Sequence, residues 1–146
     1  MRTKKGELFT ELVLEIFKLN GLLIAEGDQI SGEYGLSSAR WKVLGALALS
    51  KNPLTVAQIA RKMGQARQSV QRIANDMVEN GYFTWEENPA DKRAKLLKMT
   101  AKGNHAYKLL ESAQAPWANE SASKLSTQDL KSALILLRQL IDRFSA

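Results

Sequence analysis

The residues best suited to chemistry form two groups of polar side chains in the middle third of the chain. The first group has helical spacing and comprises Arg67, Gln68, Ser69, Gln71 and Arg72. Arginine can make paired hydrogen bonds to guanine and glutamine can make them to adenine, while serine can reach a base or a phosphate. This group therefore predicts a helix face that reads base edges in a nucleic acid.

The second group lies in the charge-rich segment NPADKRAK, residues 88–95, and comprises Asp91, Lys92, Arg93 and Lys95. A proline and a run of charges interrupt the regular pattern here, so a projecting loop is expected. Basic side chains on such a loop neutralise phosphates, which supplies affinity but little sequence information. Lys98, a few residues further on, adds to the same positive charge.

The net charge of +6 is concentrated around these two groups. Residues 51–103 hold 10 Lys and Arg against 5 Asp and Glu, whereas residues 1–50 hold 6 of each and residues 104–146 hold 5 and 4. A local excess of this kind indicates a polyanionic partner, and nucleic acid is the first candidate. A solvated basic face is the alternative interpretation of the charge alone.

Catalytic and metal sites are not expected from the composition. The chain has no cysteine and one histidine, His105, which excludes disulfides, thiolate zinc sites and multi-histidine metal sites. It has no glycine-rich phosphate loop or recognisable pair of catalytic carboxylates. The start MRTKKGELF lacks the apolar core of a signal peptide, and no apolar run has the length of a bilayer span. We therefore expect a cytoplasmic protein that is not an enzyme and that uses no cofactor, metal or membrane.

The elements that must position the two groups begin with three helices. One helix begins at Ser37 or Ser38 and ends before Pro53. TVAQIARKM then has Thr55 and Gln58 at the spacing of a capping box, and RQSVQRIANDMVENG follows after the three residues GQA. Two short helices joined in this way predict a helix-turn-helix. The closing Asn-Gly pair fits a hairpin turn or a glycine C-cap, and the helical pattern before it favours the C-cap.

Strands and helices follow in the second half of the chain. YFTWEE and AKLLKMT are rich in aromatic and branched residues and are separated by NPADKR, which predicts an antiparallel hairpin. Helical spacing returns at Ala101, and Pro116 is expected to interrupt that helix. The last helix has a cap at Ser126. The first and last helical segments carry wider apolar stripes than one small domain can bury.

The sequence therefore predicts a mainly α fold with a small β-hairpin, in which a winged helix-turn-helix core is flanked by N- and C-terminal dimerisation helices. One domain is expected over residues 1–146, with the DNA-binding region at about 37–103 and the dimerisation helices at about 7–27 and 104–146. The apolar stripes at both ends indicate a homodimer.

Over residues 54–103 the chain resembles the MarR family of bacterial transcription regulators. The most specific element is the pair Asp91-x-Arg93, followed by a short apolar strand and then by Thr100-x-x-Gly103. The helical flanks also have the lengths found in the family, so the resemblance covers nearly the whole chain.

The resemblance implies a function and roles for individual residues. The helix from Arg67 would lie in the major groove of double-stranded DNA, Arg93 would enter the minor groove, and Asp91 would hold the wing in shape. The protein would be a homodimeric repressor of an inverted-repeat operator, with recognition helices roughly 34 Å apart. A small aromatic effector would release it from DNA, and Trp41 is the candidate residue for the effector pocket.

Two departures from the family pattern keep a second function open. Ala66 precedes the recognition helix where the family commonly has a capping Ser, Thr or Asp. The first wing strand ends in Glu86 and Glu87, which would repel phosphates unless they pair with Lys95 across the hairpin. The alternative is a winged-helix module that binds another protein, with little or no specific DNA binding.

Overall fold

The structure is a computed structural model and describes residues 1–145. Its elements are α1 (Lys4–Gly32), α2 (Ser38–Ala48), β1 (Leu54–Thr55), α3 (Val56–Met63), α4 (Arg67–Glu79), β2 (Phe83–Glu86), β3 (Leu96–Met99), α5 (Ala101–Ala122) and α6 (Thr127–Ser145). The contacts divide the chain into two compact units, Met1–Glu111 and the segment from Ser112 onward. The predicted mainly α fold, with a hairpin between the fourth and fifth helices, is confirmed.

Side-chain caps set the starts of α2 and α3. Ser37 caps α2, because its hydroxyl accepts the N–H of Arg40 at 3.2 Å. The capping box of α3 is present in both directions: Thr55 Oγ1 accepts the N–H of Gln58 at 3.2 Å, and Gln58 Oε1 accepts the N–H of Thr55 at 2.9 Å. Both predicted starts are confirmed. Ser38, the other candidate cap, is buried instead and donates its hydroxyl hydrogen to a carbonyl oxygen of α1.

A glycine ends α4, as the helical pattern predicts. Gly81 has a φ of 85°, in the left-handed region that favours glycine. Its N–H donates to the carbonyl oxygen of Val78 at 3.1 Å, and the N–H of Tyr82 donates to that of Met77 at 2.9 Å. These two bonds form a Schellman motif, which turns the chain sharply into β2.

The sheet has three antiparallel strands in the order β1-β3-β2, one more than the sequence predicts. β2 and β3 form the expected hairpin, with Phe83 opposite Met99 and Trp85 opposite Leu97. The missed strand is β1, which pairs Leu54 with Leu97. Two residues are too few to show strand periodicity, so the sequence carries no local signal for β1. The strand forms by pairing with the edge of β3 that β2 leaves unpaired.

The buried side chains form one cluster within the unit Met1–Glu111. They come from the loop before α2, from α2, α3 and α4, from the sheet and from the first half of α5, and the largest are Phe83, Leu44, Ile59, Met77, Leu97 and Leu110. α4 buries Val70, Ala74 and Met77 at steps of four and three residues. Because these positions share one face of the helix, the opposite face of α4 is turned to solvent.

α5 continues through Pro116, so the predicted interruption is wrong. The helix runs over Ala101–Ala122 with the proline inside it. Proline lacks the N–H that would bond to the carbonyl oxygen of Ser112, so one helical hydrogen bond is lost while the turns on either side keep theirs. The boundary between the two compact units falls at the same turn, after Glu111.

The helices at the two ends of the chain expose much apolar surface. α6 has no buried residue among those described, and Ile141 and Phe144 are 61% and 69% exposed. α1 buries Ser31 alone, while Leu8 and Phe17 are 67% and 68% exposed. Within residues 1–145, no helix combines the length and the apolar character needed to span a bilayer.

Candidate nucleic-acid interface

A tight turn joins α3 to α4 and sets the direction of the second helix. Gly64 ends α3 with a φ of 64°, and the N–H of Gln65 donates to the carbonyl oxygen of Ala60 at 3.0 Å. α4 then begins after Ala66, whose backbone is extended (φ −70°, ψ 141°) and whose methyl group supplies no cap. The expected weakness at the start of this helix is therefore present, since the first turn has no side-chain acceptor for its N–H groups.

The solvent-facing side of α4 presents most of the first predicted group. Arg67, Gln68, Gln71 and Arg72 are exposed and line an open groove of about 470 Å³. Ser69 is half-buried beside Val70 and lies on the flank of this face. The structure thus brings four of the five side chains together on one surface.

The wing is the loop between β2 and β3, and Asp91 organises it. Asp91 Oδ1 accepts the N–H of Arg93 at 3.0 Å, and the Asp91 carbonyl oxygen accepts the N–H of Ala94 at 3.2 Å. The Arg93 Nε lies 3.7 Å from the same carboxylate oxygen, while the Arg93 side chain is 95% exposed. The carboxylate therefore shapes the turn, while the Arg93 side chain stays exposed to solvent.

Asn88 also holds the wing together and was missed at the sequence level. Its side-chain oxygen accepts the N–H of Ala90 at 3.1 Å, and its Nδ2 donates to the carbonyl oxygen of Ala94 at 2.9 Å. Its own carbonyl oxygen accepts the N–H of Asp91 at 3.2 Å. The signal was the Asn-Pro pair, because asparagine before proline favours a turn closed by its own side chain.

The helix group and the wing group meet in a second groove, of about 370 Å³. α4 contributes Arg67, Gln71 and Asn75 to its walls, and the wing contributes Lys92, Arg93 and Lys95. Trp85 and the junction of β1 with α3 lie between them. Two predicted groups that are 19 positions apart in the sequence, from Arg72 to Asp91, thus form one basic, polar surface.

Glu86, at the end of β2, pairs with a different lysine from the one expected. Glu86 Oε1 lies 3.8 Å from the Nζ of Lys98, whereas Lys95 makes no such pair among the described residues. In the hairpin register Glu86 is opposite Leu96, and Lys98 is two residues further along on the same face of the sheet. The proposed pairing with Lys95 is therefore wrong, because the register places Lys98 within reach.

An ion pair between α2 and α4 was also missed. Arg40 donates from Nε to Asp76 Oδ2 at 2.8 Å, and its terminal nitrogen lies 2.6 Å from the same oxygen. Both side chains are more than a third exposed, at 39% and 38%. The pair connects α4 to the first turn of α2, across 36 positions of sequence.

The base of the wing is joined to α5 by Thr100. Its hydroxyl accepts the N–H of Gly103 at 3.1 Å and faces the carbonyl oxygens of Gly81 and Tyr82 at 2.6 Å and 2.9 Å. Gly103 is buried against the Tyr82 carbonyl and the Met99 side chain, and an added Cβ would overlap the carbonyl oxygen. The spacing Thr100-x-x-Gly103 thus combines a helix cap with a close backbone approach.

The remaining predicted residues lie outside this surface. Trp41 is partly buried on α2 and packs against the core cluster. His105 is exposed on α5. No group of three or more metal-binding side chains occurs within residues 1–145.

Comparison with known proteins gives this surface a context. The profile of the MarR family matches residues 34–94. An uncharacterised protein of Mycobacterium tuberculosis is 33% identical over 130 residues, which is 89% of this chain and 90% of the relative. The transcriptional activatory protein BadR of Rhodopseudomonas palustris is 26% identical over 141 residues, 94% of this chain and 81% of BadR.

A solved structure shows the same fold. The crystal structure of CouR from Rhodococcus jostii, bound to p-coumaroyl-CoA, matches with a TM-score of 0.80 at 14% identity, over 89% of this chain and 91% of CouR. With the family profile over the helix-turn-helix and wing, and with basic helix and wing groups on one surface, the chain belongs to the MarR family of DNA-binding transcription regulators.

Proposed function

We propose that this protein is a homodimeric repressor that binds an inverted-repeat operator and is released by a small aromatic effector. The observation that carries the proposal is the groove in which the side chains of α4 meet those of the wing. Arg67, Gln68, Gln71 and Arg72 are assigned to base edges in the major groove, and Ser69, on the flank, to a phosphate. Since the ligand is chromosomal DNA, we assign the protein to the cytoplasm.

The wing is proposed to contact the DNA beside the recognition helix. Arg93, whose side chain is almost fully exposed, is assigned to the minor groove, and Asp91 keeps the loop in the required shape. Lys92 and Lys95 are assigned to phosphates, where each contact contributes to affinity and to its salt dependence. Pairing of Glu86 with Lys98 partly offsets one of the two repulsive charges that favoured a protein-binding module.

The dimer is proposed to form through the helices at the two ends of the chain, at about 7–27 and 104–146, with the DNA-binding region at about 37–103 between them. Support comes from α1 and α6, whose large apolar side chains are exposed in the single chain. A two-fold dimer would place its recognition helices roughly 34 Å apart, one turn of B-DNA, and would therefore select an inverted repeat.

One similar protein supports release by an effector, whereas another argues against repression. CouR was crystallised with p-coumaroyl-CoA, which supports an aromatic effector, and Trp41 is the residue that we assign to its pocket. BadR is a transcriptional activatory protein, so a reporter fused to the bound promoter must decide the direction. Repression predicts higher reporter output without the protein, and lower output would identify an activator.

The DNA-binding part is tested by selecting bound fragments from genomic DNA with the wild type and with Arg93→Ala at the same salt concentration. We expect an enriched inverted repeat, weaker binding by the variant, and a salt slope smaller by about one unit. Lys5→Ala, which removes one positive charge from the exposed first turn of α1, outside the regions assigned to the DNA and to the dimer, is the matched control and should bind as the wild type does. A folded dimer that enriches no sequence would favour the protein-binding module instead.

A further inference from the structure

Asn75 lies on the DNA-facing side of α4 and has no role in the assignments above. It follows Gln71 by one helical turn and Arg67 by two, and its side chain is exposed. It lines both grooves that Arg67 and Gln71 line. Its position therefore calls for a role in the interface rather than in the core.

The structure shows a direct hydrogen bond between Asn75 and Gln71. The Nε2 of Gln71 donates to the Oδ1 of Asn75 at 3.0 Å. Residues four positions apart meet on the surface of a helix, so this bond is compatible with undistorted helix geometry. It restricts a glutamine side chain that otherwise has several rotatable bonds.

A bond made through the outer N–H of the glutamine amide would leave free the edge that recognises adenine. A glutamine amide has two N–H groups, one beside the carbonyl oxygen and one pointing away from it. Because two carbonyl oxygens repel each other, the oxygen of Asn75 is best approached by the N–H that points away. The Oε1 of Gln71 and its neighbouring N–H then remain free as an acceptor–donor pair. Adenine presents the matching donor, N6–H, and acceptor, N7, in the major groove.

We propose that Asn75 is a positioning residue that orients the amide of Gln71 for an adenine in the operator. Asn75 acts through Gln71 and need not touch the DNA. The proposal rests on the proposed function, since it requires α4 to lie in the major groove. The hydrogen bond holds the Gln71 side chain in place before DNA binds, so less side-chain freedom is lost on binding. The preference for one base pair is therefore assigned to this bond.

The test measures base preference position by position, by selection from a library based on the enriched operator. Gln71→Ala should lower the preference for adenine at one position of each half-site by about 5- to 100-fold, the range of a bidentate contact. Asn75→Ala should lower the preference at the same position by about 2- to 10-fold, the effect of freeing one side chain. The double variant should match Gln71→Ala alone, because Asn75 has no separate contribution.

Two further variants separate positioning from charge and from general helix effects. Asn75→Asp keeps an acceptor oxygen, so it should retain the base preference while its negative charge weakens binding to all sequences alike. Glu79→Ala, on the exposed surface in the last turn of α4, is the control and should leave the preference at this position unchanged. Melting temperatures of all variants, measured alongside, should stay close to that of the wild type because the altered side chains are exposed.

The outcomes distinguish this inference from the proposed function. A clear operator with unchanged preference in Asn75→Ala, or in Gln71→Ala, would overturn the inference and leave the regulator in place. A change at a different base pair from that affected by Gln71→Ala would show that Asn75 reads DNA itself. Absence of any operator for the wild type would instead overturn the proposed function.

Discussion

Replacing Gly103 by alanine is expected to destabilise the protein, although alanine is normally the better helix former. The glycine lies in the first turn of α5, where the change would on propensity alone stabilise a helix by about 1 kcal/mol. A Cβ at this position would overlap the carbonyl oxygen of Tyr82 and lie 2.9 Å from the Sδ of Met99. The methionine can move, but the carbonyl belongs to the backbone and is held by Thr100.

The expected change in the free energy of unfolding is the sum of two costs and one gain. Overpacking against a fixed backbone costs about 3 kcal/mol, at the upper end of the usual range. Displacing Tyr82 weakens its hydrogen bonds with Thr100, which adds about 1 kcal/mol, and the gain in helix propensity subtracts about 1 kcal/mol. The expected loss is therefore about 3 kcal/mol in the free energy of unfolding.

Urea unfolding of both proteins at equal concentration measures this loss. With a slope of about 2 kcal/mol per molar urea, the midpoint should fall by about 1.5 M. Gly32→Ala is the matched control, because a Cβ there meets no atom within 4 Å, and it should be neutral or slightly stabilising. A Gly103→Ala variant as stable as the wild type would refute the account of Thr100-x-x-Gly103 as a close backbone approach.

Three other substitutions test separate parts of the structure. Ala66→Ser should stabilise the protein by about 0.5–1 kcal/mol in thermal unfolding, because it adds a cap to α4 at a position whose backbone is already extended; no gain would mean that the cap cannot form. Arg40→Ala should cost about 1 kcal/mol by urea titration, since its ion pair with Asp76 is partly exposed, and the loss should be smaller in high salt. Burial, and then the neighbouring carboxylate of Glu111, raise the pKa of Tyr107 above its ordinary value of 10.0. The unfolded chain therefore loses this proton first, so the associated stability is complete below pH 10.0 and is lost as the pH rises through the folded-state pKa. Tyr107→Phe should make the alkaline loss of stability shallower, and an unchanged slope would contradict this.

The local features were predictable because their causes lie within a few residues. The capping box of Thr55 and Gln58 needs one turn of helix, and the Schellman end at Gly81 needs the helix before it. The hairpin is signalled by two branched and aromatic segments around a charged loop. The helix-turn-helix follows from the spacing of such signals, so the fold around the site could be derived from the sequence.

The features that were missed depend on register or on distant partners. Whether Glu86 meets Lys95 or Lys98 is decided by the alignment of two strands, which the residue types do not determine. The pairing of Arg40 with Asp76 requires α2 and α4 to be already packed. Pro116 shows the converse: its local signal to end a helix was clear, and the helix continues nevertheless.

Thr55 belongs to two elements at once, and this has a mechanical consequence. It is the last residue of β1, which pairs with the central strand β3 of the wing, and it is also the N-cap of α3. The junction leaves no flexible linker between the wing and the helix-turn-helix, so neither can shift without disturbing the same residue. A movement of β3 is therefore transmitted directly to the N-terminus of α3.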